Sequence, residues 1–260
     1  MKLTLQQRAA FDHGGHAVIT ACPGSGKTRT IIAKVLQCID KLAQTPRNVA
    51  CITYTNTAVH EIEKRIREHG TSAGEGCYEI STIHAFCLNN ILGNYHWLTE
   101  AYREGYTVLP PDHETYTQIV QEVCKIHNLK TYARTQFELL NRHPNGSPIS
   151  SSIPVDAALD FWTELERRGF IDFCNIVSHS YQLLINNPSI THNLSCRFAY
   201  ILLDEFQDTS FLQVELLKLV HEVGHTTFFI VGDPEQSIYS FAGAERKLMG
   251  VFARTIDAQE

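Results

Sequence analysis

No stretch of the 260 residues is apolar for long enough to cross a bilayer, which excludes a helical membrane span. The opening MKLTLQQRAAFDHGG has no apolar core of the kind that makes a secretory signal. Together these absences give the expectation of a cytoplasmic protein with no membrane partner. No two cysteines are spaced C-x-x-C; the eight are scattered from Cys22 to Cys196, so they read as small apolar residues in or near cores. Positive charge is in short supply as well. The 22 Lys and Arg against 28 Asp and Glu leave a net charge of −6, which excludes nucleic-acid binding by bulk electrostatics but not a local binding track.

What is present is an ordinary globular composition, 43% hydrophobic and 19% charged. A chain of this length buries about three quarters of its unfolded surface and fills one large or two modest domains. Short apolar runs alternate with helical patterns. HAVITA (16–21), NVACIT (48–53), CYEIST (77–82), YILLDE (200–205) and TTFFIVGD (226–233) read as strands. Residues 27–43, 56–69, 83–93 and 209–223 carry apolar positions at helical spacing. Such alternation predicts an α/β fold, a parallel sheet covered on both faces, with ligands gathering at its carboxyl edge. From about 93 to 197 no strand-like run occurs, and helical patterns near 113–127, 154–168 and 172–187 predict a helical insertion. HPNGSPISSSIP (143–154) is a polar loop inside it, and no internal repeat is present.

Residues 21–28, ACPGSGKT, form the stretch richest in chemistry. Ala21, Pro23, Gly24, Ser25 and Gly26 have little side-chain bulk, so consecutive N–H groups can turn toward an anion. Lys27 adds a fixed positive charge, and Thr28 a hydroxyl that a phosphate-bridging Mg2+ can take as a ligand, at the positive end of the next helix. The pattern G-x-x-x-x-G-K-[S/T] is matched except at its first position, where Ala21 stands. A second element, LLDEFQD (202–208), brings two adjacent carboxylates to a strand end. Asp204 is placed to hold the magnesium ion and Glu205 to orient and deprotonate an attacking water. The competing reading is helix capping by Asp208 or Thr209, and the preceding phosphate loop weighs against it. A third element is VGDPEQSIYSFAGA (231–244). Gln236 can donate to a γ-phosphate oxygen, while Tyr239 and Phe241 can stack on bases or pack beneath their own loop.

HEVGH (221–225) matches the zinc-protease pattern H-E-x-x-H, which needs one helix through both histidines and a third ligand. Gly224 reads instead as the residue that ends a helix, with His225 abutting the next strand and His221 complementing the helix dipole. EIEKRIRE (61–68) reads as a solvated helix face.

In order and spacing these segments resemble the UvrD, PcrA and Rep type of superfamily 1 DNA helicase. LTLQQRAAF (3–11) is similar to the Q motif, ACPGSGKTR (21–29) to motif I and ITYTNTAVHEIEKRI (52–66) to motif Ia. STIHAFC (81–87) is similar to motif Ib, RFAYILLDEFQDTS (197–210) to motif II, and GDPEQSIYSFAGA (232–244) to motif III. GFIDFCNIV (169–177) resembles the end of the helical domain called 1B. The resemblance implies a RecA-like P-loop NTPase domain 1A over residues 1–92 and 197–260, interrupted by domain 1B over 93–196. It implies ATP and Mg2+ as cofactors, with Gln7 reading the adenine edge and Arg29 contacting its ring. It implies single-stranded or tailed duplex DNA as partner, touched by Tyr54, Thr55 and Asn56, by the aromatic residues of motif III and by His84, which otherwise reads as a catalytic base. By the same resemblance the polarity is 3′ to 5′.

This chain departs from the family pattern in three places. Thr57 replaces a lysine and Ala242 an arginine, both removing positive charge from the DNA track and shifting reliance to stacking by Tyr54, Tyr239 and Phe241. After motif III only ERKLMGVFARTIDAQE follows, with nothing similar to motifs IV to VI, so the sequence reads as the front half of a two-domain motor that by itself turns over ATP poorly. A second reading is a nucleotide-sensing subunit that binds ATP and a protein partner such as a nuclease without unwinding, and a third is an RNA helicase.

Overall fold

The computed structural model describes residues 3–22, 24–69, 76–130, 134–149, 152–236 and 247–259. The chain opens with helix α1 (Leu5–Asp12), followed by strand β1 (Ala17–Thr20), α2 (Lys27–Leu42), β2 (Asn48–Thr53), α3 (Asn56–His69), β3 (Tyr78–Thr82) and α4 (Ile83–Cys87). After a helical stretch come four two-residue strands, β4 (Thr107–Val108), β5 (Asn141–Arg142), β6 (Pro148–Ile149) and β7 (Phe170–Ile171). The main sheet then resumes with β8 (Phe198–Leu203) and β9 (Thr227–Gly232).

Five strands form one parallel sheet in the order β1-β9-β8-β2-β3. The order explains why the runs are apolar throughout. Along β2, Val49 and Cys51 face one core while Ala50 and Ile52 face the other, the two-residue period of a strand buried on both sides. On the first face α2 lays Ile31, Ile32, Val35, Cys38 and Ile39 against Val49, Leu202 and Val231. This is the stripe expected when apolar residues recur at three- and four-residue intervals. On the second face, helices Phe173–Asn186 and Phe211–Glu222 cover Ile52, Ile201, Leu203 and Ile230.

A third core lies apart from the sheet, where helices Glu114–Ile126 and Val155–Arg167 bury Tyr116, Phe161 and Trp162 together. Between 93 and 197 the helices at Glu114–Ile126, Val155–Arg167 and Phe173–Asn186 stand where periodicity put them. The four short strands do not follow the expectation of no strand there. Thr107–Val108 pairs in parallel with Phe170–Ile171, and Asn141–Arg142 in antiparallel with Pro148–Ile149, and two residues are too few to leave an alternating pattern.

Two capping expectations change. The helix after motif II starts at Phe211 with Ser210 as N-cap, in a reciprocal capping box with Gln213, because Phe206–Asp208 form a separate 3-10 turn. At its other end Gly224 does take the left-handed conformation (φ 82) that closes a helix. His221, however, is not a cation there: burial outweighs the neighbouring Glu222 and keeps it below the usual histidine range, hence neutral. The cysteines divide. Cys38, Cys51, Cys87 and Cys124 are buried as expected, whereas Cys22 and Cys196 are exposed, since each sits on a solvent-facing turn or helix face that composition does not reveal.

Candidate nucleotide site at the carboxyl edge of the sheet

Parallel strands end on one edge, so the sheet gathers its carboxyl-end residues there. β1 runs into the phosphate loop, β2 into Tyr54, β3 into His84, β8 into Asp204 and β9 into Asp233. The loop is tied down where it leaves β1, the Ala21 N–H donating to the Gly232 carbonyl at 3.1 Å. Gly24 and Gly26 both adopt positive φ, 74 and 86, which only glycine takes without strain. Gly26 caps α2 with no side-chain acceptor, so the first-turn N–H groups keep their donors for an anion. Lys27 and Thr28 are the first residues of that helix, and Arg29 follows, exposed. Pro23 lies outside the described residues, as do Tyr239 and Phe241.

Lys27 reaches across to motif II. Its Nζ donates to Glu205 Oε2 at 3.1 Å, with the lysine side chain only 10% exposed. Glu205 has φ 50, and its N–H donates to Asp204 Oδ1 at 3.1 Å. Asp204 itself is buried, and loss of solvent, reinforced by the neighbouring Glu205, pushes its carboxyl up to about 6. A buried carboxylate held this far from its ordinary value is a group that a cation would stabilise. A carboxylate and a hydroxyl, as on Asp204 and on Thr28 in the first turn of α2, are the oxygen donors that suit a hard ion such as Mg2+.

Two residues of the site carry roles the sequence reading did not assign. Gln207 Nε2 donates to Glu205 Oε2 at 2.7 Å, and its Oε1 accepts from the buried Asp233 N–H at 2.9 Å. Asp233 in turn accepts from Gln236 Nε2 and from the Glu235 N–H. Thus Lys27, Glu205, Gln207, Asp233 and Gln236 form one continuous polar chain linking the three motifs. The signal for Gln207 was its place in motif II; its partner depends on β9 lying between β1 and β8, which sequence does not state.

Gln7 sits beside the loop. Its Oε1 accepts from Thr4 N at 3.0 Å to close a capping box on α1, and its Nε2 donates to Ser25 O at 2.8 Å. Both ends of the amide are therefore engaged, the oxygen with the N-cap of α1 and the nitrogen with the loop backbone. The motif Ia residues are on the surface: Tyr54 is 37% exposed, Asn56 begins α3, and Thr55 Oγ1 accepts from Ala58 N at 3.2 Å as its cap. His84 is half-buried against Phe173, ring centroids 5.1 Å apart, and burial lowers it to about 4, so it is neutral at pH 7. In α3, Arg65–Glu61 and Arg67–Glu63 pair along an outer face while Ile62 and Ile66 are buried, as the charge pattern predicts.

A parallel sheet with a glycine loop at one strand end and an acidic pair two strands away defines a P-loop nucleotide-binding domain of the RecA-like type. The UvrD/REP helicase N-terminal domain family matches residues 3–257, and the chain belongs to that family. It is 28% identical over 259 residues to the ATP-dependent DNA helicase Rep of Buchnera aphidicola subsp. Schizaphis graminum, covering 94% of this chain and 39% of the relative. To the ATP-dependent DNA helicase PcrA of Staphylococcus aureus (strain Mu50 / ATCC 700699) it is 26% identical over 263 residues, covering 93% and 34%. A probable DNA helicase II homolog of Rickettsia felis is 24% identical over 257 residues, covering 92% and 38%. The chain thus spans between 34% and 39% of the length of these relatives. Among the described residues no helix is long and apolar enough to cross a membrane.

Proposed function

We propose that the chain is the nucleotide-binding part of an ATP-dependent DNA helicase or translocase, with residues 1–92 and 197–260 as the RecA-like domain and 93–196 as the helical insertion. The observation that carries this is the 3.1 Å contact between Lys27 and Glu205, which brings the phosphate loop and the acidic pair to one point. In this reading the first-turn N–H groups of α2 and the Lys27 ammonium hold the β- and γ-phosphates of ATP, the phosphates taking over the lysine from Glu205. Thr28 and Asp204 hold Mg2+, which when bound neutralises the developing phosphate charge. Glu205, released from Lys27, accepts the proton of an attacking water, and Gln236 registers departure of the γ-phosphate. Gln7 and Arg29 border the adenine; Gln7 exchanges one of its present partners to reach it.

Single-stranded DNA runs across the exposed carboxyl-edge residues Tyr54, Thr55 and Asn56, with His84 alongside, and Tyr239 and Phe241 of motif III are the residues that stack on its bases. Because His84 is neutral at pH 7, its contact would be polar rather than ionic. A second RecA-like domain completes the site by supplying arginine fingers, groups worth about three to five orders of magnitude in phosphoryl transfer. Alternate closing and opening of the two domains moves the strand, in the 3′ to 5′ direction by resemblance, in the cytoplasm.

The test is DNA-stimulated ATP turnover by the complete protein. Lys27→Ala and Glu205→Gln should each abolish it, and wild-type-like turnover by either variant would end the assignment.

A further inference from the structure

At the opposite, amino edge of the sheet three side chains from two segments converge: His192, Cys196 and His225, whose donor atoms all lie within 4.8 Å of one another. His192 and Cys196 are four apart on helix Pro188–Arg197 and so share a face, His192 Nε2 standing 3.5 Å from Cys196 Sγ. His225 arrives from the other side, delivered by the left-handed turn at Gly224, and its ring lies 5.4 Å from that of His192. It is the second histidine of the HEVGH segment. The two histidines of that segment do not share a site: His221 packs against His16 and Phe228.

We infer that His192, Cys196 and His225 form a zinc site, a three-ligand clasp whose fourth position is left to water. Two nitrogens and one sulfur are the donors a tetrahedral d10 ion favours. Bonds of about 2.0–2.3 Å would place tetrahedral ligand atoms about 3.3–3.8 Å apart. The His192–Cys196 spacing is already in that range, and the exposed side chains need only rotate slightly to bring in His225.

The backbone under the ligands is fixed independently of any ion. Arg47 donates to the carbonyls of Ser195, Cys196 and His225 at 3.0, 2.8 and 2.6 Å. Buried Thr226 bonds the Ser195 and Phe198 carbonyls at 3.2 and 2.9 Å. Three carbonyls from two segments are therefore gripped by one guanidinium, which holds both ligand-bearing backbones at a set separation. The clasp would join the segments that lead directly into β8 and β9, the strands that carry Asp204 and Asp233 to the other edge.

The experiment uses the full chain, free of any polyhistidine tag and stripped with chelator, titrated with Co2+ and then with Zn2+ in competition with a chromophoric chelator. One equivalent of Co2+ should bind with a thiolate-to-metal charge-transfer band. The band should vanish in Cys196→Ser and persist in Cys22→Ser, which removes the other exposed thiol. His192→Asn and His225→Asn should each weaken Zn2+ binding by at least about 100-fold, the upper range seen even for residues that only support ligands. Unchanged far-UV circular dichroism would show that these surface variants are folded. Failure to take up one equivalent, a charge-transfer band that survives Cys196→Ser, or Zn2+ affinity indifferent to both histidine changes would overturn the assignment.

Discussion

Replacing Gly232 with alanine should break the site without breaking the sheet. Its φ is not in the left-handed region, so backbone conformation does not demand glycine there; space does. An added Cβ would lie 2.9 Å from Gln207 Oε1, 3.0 Å from Met249 Sδ and 3.4 Å from the Gln207 N. The two nearest atoms end flexible side chains, so the easiest relief is for Gln207 to swing away. In doing so it gives up its 2.9 Å bond from Asp233 N and its 2.7 Å bond to Glu205. The first loss leaves a buried N–H unpaired at a cost of about 1–3 kcal/mol, and the second removes a bond to a charged group worth about 1.5–3 kcal/mol. Against this, reduced freedom of the unfolded chain returns about 0.4–1 kcal/mol. The net expectation is a destabilisation of about 1.5–5.5 kcal/mol. Urea unfolding of wild type, Gly232→Ala, Gln207→Ala and the double variant would isolate the cause. If glycine serves to admit Gln207, the double variant is no less stable than the worse single one, a coupling of about 2 kcal/mol. Additivity within about 0.5 kcal/mol would refute the reasoning.

Asp204→Asn should stabilise the protein at pH 7 in the absence of divalent cations. The carboxyl is raised from 3.8 to about 6, so the folded state is penalised above about pH 6 and relieved as pH falls toward 4. At about 1.36 kcal/mol per unit the gain is about 3 kcal/mol at pH 7 and disappears near pH 4, measurable by urea midpoints at the two values. His84 has the opposite sign. Lowered from 6.5 to about 4, it costs stability as pH drops through that interval, so His84→Asn should match wild type at pH 7 and exceed it by about 3 kcal/mol near pH 4.5. An imidazole NMR titration midpoint near 6.5 for His84 would contradict this. Lys34, buried in α2, donates to the Phe11 and His13 carbonyls at 2.8 and 2.6 Å and so fastens the end of α1. Lys34→Ala should cost about 2–3 kcal/mol and expose the α1 amides to faster hydrogen exchange; unchanged exchange would count against that anchoring.

All five strands of the main sheet were legible because strands buried on both faces leave uninterrupted apolar runs, and their ends fell within two residues of the prediction. Helix α2 was readable from its stripe and its glycine start. The region 83–93 was harder: the periodicity is helical, but Leu88–Leu92 is a π turn, and a pattern of apolar positions does not distinguish one from an α turn. Capping by Ser210 was masked by the intervening 3-10 turn. At the site, Lys27, Asp204 and Glu205 could be named from motif alone. Gln207 could not be given its partner, because that partner follows from strand order, a property of the whole chain.

A local turn, not strand order, explains how two adjacent carboxylates can serve one site. Successive side chains on a strand point to opposite faces, so an uninterrupted β8 would send Asp204 and Glu205 apart. The chain instead leaves extended geometry at Glu205, whose φ of 50 costs on the order of 1 kcal/mol or more for a residue with a side chain. Three contacts hold it there: Glu205 N to Asp204 Oδ1, Asp208 N to Glu205 O, and Lys27 Nζ to Glu205 Oε2. The turn keeps Asp204 in the buried interior and swings Glu205 outward to the lysine. β9 lies between β1 and β8, and Asp233, the residue that follows it, accepts from Gln236 Nε2 and donates its N–H to Gln207 Oε1. Lys27 and Gln207 thus share the acceptor Glu205 Oε2, and the same glutamine bonds Asp233, whose carboxylate meets Gln236.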